Sequence, residues 1–216
     1  MNPDILINNL AGLLIITSVM VIGAKKAKSA AILYSVQSLV LVLTFLAIAK
    51  SVDATELYHW SMTAFVTKVI ALPAILYIAL SKMSDPSADR PVLHLGWLIP
   101  IAGLITVTCY FAVESVSLPL VAHLKPALAV AVGHFFLGLL CIVSQRNILK
   151  QLFGYCLMEN GSSLVLALLA NKAPGLVEVG ITTDAVFAVL FMVILARQIY
   201  QKLNTLDVNQ LNQLKG

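Results

Sequence analysis

Long apolar runs separated by short polar breaks pattern this chain from one end to the other. Taken as helices, the runs predict seven membrane spans at about residues 5–24, 30–49, 61–81, 95–114, 126–144, 152–170 and 177–200. Each run holds about 20 residues, enough at about 1.5 Å per residue to cross a hydrocarbon core about 30 Å thick. The fold class this implies is all-α, a polytopic membrane protein, because in lipid the backbone must satisfy its own hydrogen bonds. The longest polar break, 82–94, carries prolines and aspartates and reads as a turn-rich loop.

Basic residues give the pattern a direction. Lys25, Lys26, Lys28, Lys82, Arg90, Arg146, Lys150, Arg197, Lys202 and Lys215 flank the spans on one side, whereas only Lys50, Lys125 and Lys172 flank them on the other. The excess predicts an N-terminus outside and a C-terminus in the cytoplasm. The start, MNPDILINN, has no basic stretch, which favours a retained first helix over a cleaved signal. Composition agrees with the spans: 60% of residues are hydrophobic, 11% are charged, and the mean hydropathy is +0.94. No stretch is long enough for a soluble domain, and no basic patch invites nucleic acid. Cys109, Cys141 and Cys156 all lie in apolar runs, which gives no support to a disulfide framework or a thiolate metal site.

Polar residues inside the spans are the candidate chemistry. Asn8 and Asn9 lie within reach of the headgroups, and Glu114 lies near the outer interface. Gln37 and Ser38 suit hydrogen bonding between helices. Lys68 stands about two turns into the third span, with Pro73 beyond it; it either snorkels, pairs locally or belongs to a proton path. The kink that Pro73 allows gives a polar cavity room. His134, beside Gly133 and Gly138, is either a proton relay or a neutral packing residue. Glu159 and Asp184 are carboxylates placed where hydrocarbon is expected, a costly arrangement that marks ion or proton routes. Their bland reading is as struts between helices.

The last third of the chain carries a recognisable pattern. Arg146-Asn147-Ile148-Leu149, then Gly154, Met158, Asn160, Ser162 and Leu164, are followed by Asp184-Ala185 and a basic end at Arg197. This resembles subunit K of bacterial NADH:quinone oxidoreductase and the matching small subunit of multisubunit cation/proton antiporters. Over its full length the chain is similar to the hydrogenase-4 component E family, membrane subunits of formate hydrogenlyase. The resemblance implies a four-helix extension at 1–125, a three-helix subunit K-like module at 126–203 and a cytoplasmic tail at 204–216. It implies that Asp184 stands at one carboxylate of the proton path. The other family carboxylate falls on Cys156, and a thiol in apolar surroundings relays protons poorly. Glu159, one turn further and displaced by about 4.5 Å, is the expected replacement.

The chain lacks the cysteine clusters of iron–sulfur or nickel–iron sites and any glycine-rich nucleotide loop, so no cofactor and no active site of its own are expected. The implied role is that of a non-redox subunit in the bacterial inner membrane. It helps move protons through Glu159, Asp184, Lys68 and His134 while soluble partners oxidise formate and evolve hydrogen. Its expected partners are antiporter-like membrane subunits, the lipid bilayer and, indirectly, the soluble hydrogenase arm. The alternatives are a cation/proton antiporter subunit and a purely structural anchor. Leu203, Leu206, Leu211 and Leu214 leave the tail free either to dock on a partner or to fray.

Overall fold

Every predicted span is a helix in the computed structural model, which describes residues 3–83, 85, 88–89 and 91–211. Arg90, Leu214 and Lys215 lie outside the described residues. The helices are α1 (Pro3–Gly23), α2 (Ala27–Val52), α3 (Glu56–Lys82), α4 (Leu95–Glu114), α5 (Lys125–Ser144), α6 (Ile148–Leu169) and α7 (Gly175–Leu203). Among the described residues these seven are long and apolar enough to cross a membrane. Helices α2, α3 and α7 overrun the expected ends most, whereas α4 matches them. The amphipathic turn Glu56–Trp60 extends α3 past its apolar run.

Burial ranks the helices. In its most apolar window α6 is 61% buried, and α2 and α5 are 56% buried, whereas α4 and α7 are only 22% buried. The first three form the centre and the last two the perimeter. Glycines on α5 and α6 set the central contact. A Cβ on Gly138 would lie 2.5 Å from the Met158 backbone nitrogen and 2.6 Å from the Gly154 carbonyl, and one on Gly161 would lie 2.6 Å from the Phe135 nitrogen. The two backbones therefore touch, as small residues permit in membranes. Gly138→Ala should push α5 and α6 apart and cost about 1–3 kcal/mol, read as a lower unfolding temperature of the detergent-purified protein.

The core is layered along the membrane normal. One apolar cluster joins Val21, Tyr34, Leu76, Cys141 and Phe153 at the lysine-rich end. A second joins Ile7, Phe45, Trp60, Leu128 and Leu164 at the other end. Between them α1, α2, α3, α5 and α6 each contribute fully buried polar side chains: Ser18, Gln37, Ser38, Lys68, His134 and Asn160. Five helices thus place their polar residues at one depth.

Helix α3 is adapted at this level. Residues Phe65–Ala71 form a π turn, closed where the Leu72 nitrogen donates to the Thr67 carbonyl. The cause lies in Pro73, which has no N–H for the carbonyl one turn back and whose ring crowds it. That carbonyl, on Val69, instead accepts a hydrogen bond from Ser35 Oγ of α2 at 2.6 Å. Proline thus widens the turn around Lys68 rather than opening a simple kink.

The lysine-rich end is tied down by polar contacts. Asn147 of the Arg-Asn motif caps α6, its Oδ1 accepting from Leu149 N at 2.9 Å. Lys150, counted above among the flanking charges, is buried, and its Nζ donates to the carbonyls of Ala24, Lys25 and Asp89 at 3.0–3.1 Å. A cation there suits the C-terminal end of α1. Beyond the left-handed Asn204 that ends α7, the tail folds back on its own chain. Ile148 N donates to Leu206 O at 3.1 Å, and Val208 N donates to Arg146 O at 3.0 Å. Asp85 Oδ2 accepts from Leu206 N at 2.8 Å. Leu206 is fully buried, so this part of the tail neither frays nor offers its leucine to a partner.

Candidate functional site: a buried polar layer

A lysine in the middle of a bilayer protein needs a counter-charge, and Lys68 has two. Its Nζ lies 2.9 Å from Glu159 Oε1 on α6 and 3.2 Å from Glu178 Oε1 on α7. It also donates to Ser163 Oγ at 2.8 Å, and that hydroxyl donates to Glu159 Oε1 at 3.0 Å. Ser163 lies four residues beyond Glu159, which puts both on one face of α6. Lys68 and Glu178 are fully buried, and the Glu159 side chain is 9% exposed.

The two carboxylates are held unequally. One Glu159 oxygen accepts from Ser163, while both Glu178 oxygens and Glu159 Oε2 lack a hydrogen-bond partner among the described residues. Glu178 is therefore within ion-pair distance of Lys68 without a well-aligned hydrogen bond. With every group ionised the triad carries one net negative charge. A single added proton neutralises it.

Helix α7 reaches this triad because its start is docked on α3. The Gly175 nitrogen donates to Glu56 Oε2 at 2.8 Å, and a Cβ on Gly175 would lie 3.2 Å from that oxygen. Glu178 follows within the first turn.

Beside the charged triad lies a neutral network. Gln37 Nε2 donates to His134 Nε2 at 3.1 Å, which leaves Nδ1 to carry the ring hydrogen and donate to Ser18 Oγ at 2.9 Å. Asn160 Nδ2 donates to Gln37 Oε1 at 2.9 Å and to Ser38 Oγ at 3.3 Å. Gln37 thus makes the interhelical bonds its chemistry invites, and both His134 nitrogens are occupied. Cys156, also buried, lies one turn before Glu159 against the Tyr34 hydroxyl.

Asp184 stands apart. It is exposed on the outer face of α7, among exposed Thr183, Phe187 and Phe191, and does not join Lys68. Six residues separate it from Glu178, which rotates it about 120° around the helix. Glu114, at the end of α4, is more than half exposed and pairs with Lys125 at 3.8 Å.

Comparison with known proteins places this arrangement. Residues 126–216 match the family model for NADH-ubiquinone/plastoquinone oxidoreductase chain 4L. Hydrogenase-4 component E of Escherichia coli K12 is 51% identical over 216 residues, covering 100% of both chains, and the Shigella flexneri protein of that name matches equally. The chain belongs to the hydrogenase-4 component E family. No solved structure matches it. In this family member the chain 4L-like segment supplies both carboxylates of the triad, and the preceding residues supply the lysine. The ion pairs therefore cross the boundary of the matched segment.

Glu178 was not among the residues singled out from sequence. It sits at the second position of the span expected at 177–200, where a carboxylate reads as an interfacial end residue. Nothing in the run of residues set it apart from such an end residue, because its burial depends on how α7 is seated against α3.

Proposed function

We propose that this chain is a non-redox membrane subunit of an energy-converting hydrogenase complex, and that its Lys68–Glu159–Glu178 triad holds one transferable proton. Family membership supports the complex, and the buried surplus of one carboxylate supports the proton. Glu159 is tied by Ser163 and by the shorter contact to Lys68, whereas both Glu178 oxygens lack a hydrogen-bond partner among the described residues, so Glu178 is the group that gains and loses the hydrogen ion in this reading. The ammonium already occupies the space between the acids, which favours a proton over a sodium ion as the species bound. His134 acts as a neutral strut that fixes α1, α2 and α5 around the site.

In the reading we propose, the N-terminus is outside, the C-terminus is in the cytoplasm and the membrane is the bacterial inner membrane. The exposed Asp184 faces another membrane subunit rather than lipid, because a mid-span carboxylate in hydrocarbon costs several kcal/mol. Proton release at the triad then couples, through the neighbours, to formate oxidation and hydrogen evolution in the soluble arm.

The test uses inverted membrane vesicles with the assembled complex, following formate-driven hydrogen evolution and acidification together. Glu159→Gln should keep assembly and hydrogen evolution while acidification falls at least about tenfold. Full acidification in Glu159→Gln and in Glu178→Gln would leave a structural anchor. Acidification that requires sodium would favour a cation antiporter.

A further inference from the structure

Away from the triad, a cleft of about 360 Å³ opens at the lysine-rich end where α1, α4, α5, Asp89 and residues 91–94 meet. Its walls are apolar, from Ile22, Pro91, Leu93 and Leu98, and exposed Trp97 precedes Leu98 in the first turn of α4. Tryptophan at that position marks the level of lipid headgroups.

The polar groups in the cleft are few and of mixed sign. Lys25 brings an exposed ammonium and Asp89 a carboxylate, whose Oδ1 also accepts from Asn147 Nδ2 at 3.0 Å. His94 caps α4 through Nδ1, which accepts from Gly96 N at 3.2 Å, so in the neutral ring Nε2 carries the hydrogen and is free to donate. Gln145 is 4% exposed; its Nε2 donates to Ile22 O at 2.9 Å, whereas its buried Oε1 has no partner. Two donors, one carboxylate and one orphaned acceptor sit over an apolar floor.

We infer that the cleft is a phospholipid site that selects an ethanolamine headgroup. The phosphate meets Lys25 and His94, the ammonium donates to Asp89 and Gln145 Oε1, and an acyl chain lies along Ile22 and Leu98. A choline headgroup carries no N–H to satisfy Gln145, and a glycerol headgroup brings Asp89 no ammonium to hydrogen-bond. Among the described residues that line the cleft, one ammonium, Lys25, stands with one carboxylate, Asp89, which favours a zwitterion over a purely anionic lipid.

Native mass spectrometry of the full-length protein in detergent, with dioleoyl lipids added singly, tests this. Ethanolamine lipid should bind about tenfold more tightly than choline lipid, the ratio that one charge-assisted hydrogen bond supplies. Asp89→Asn, which keeps the bond to Asn147, should erase that preference. Lys25→Gln should weaken every phosphate lipid, and His94→Asn, which preserves the α4 cap, should do so less. Equal binding of ethanolamine and choline lipids overturns the inference. So does displacement of the lipid by inorganic phosphate, which would mark a simple anion site.

Discussion

Lys68→Met is expected to be the most disruptive single substitution in the chain. It removes the one cation between Glu159 and Glu178 and leaves two acids facing each other between apolar clusters. Breaking a buried pair by deleting one partner costs about 3–5 kcal/mol, less whatever the acids recover by taking up protons. The yield of assembled complex and the unfolding temperature in detergent should both fall sharply. Neutralising the whole group, as Lys68→Met/Glu159→Gln/Glu178→Gln, should restore most of that stability, since replacing all members of a buried ion cluster is often close to neutral. It should not restore proton movement. Wild-type stability in Lys68→Met alone would mean that the ammonium is not bound by these acids.

Most of the architecture was legible in the chain because membrane helices announce themselves. Seven apolar runs became seven helices, and Gln37, too polar for lipid, turned inward to His134 and Asn160. Pairing was harder to read. Glu159 was singled out from its depth in an apolar run, and the structure sets it against Lys68. Glu178 and Asp184 exchange the places their sequence positions suggest. The residue near the end of the run is buried, and the residue in its middle is exposed. Distance along a run gives depth but not azimuth. Azimuth depends on how α7 is seated, which is fixed by a contact between Glu56 and Gly175 that are 119 residues apart. Lys150 teaches a related lesson: it looked like a flanking charge and proved to be a buried cap for three carbonyls.

Glu178→Gln is expected to separate proton transfer from assembly more cleanly than any other change. Glutamine keeps the volume and polarity of the side chain and leaves Lys68 paired with Glu159 alone, 2.9 Å away and steadied by Ser163. That pair is neutral without an added proton, so the site loses its exchangeable hydrogen ion while the helices stay packed. Stability should change little, and the complex should assemble and evolve hydrogen. The rate of coupled acidification should drop by about a hundredfold, the scale on which loss of a positioned proton-transfer group is felt. Asp184→Asn should behave differently, because Asp184 does not touch the triad. Its effect should appear in retention of neighbouring membrane subunits during purification, with the triad still able to load. If instead Glu178→Gln pumps normally and Asp184→Asn does not, the proton runs along the outer face of α7, and the buried triad is a strut that holds α3, α6 and α7 together.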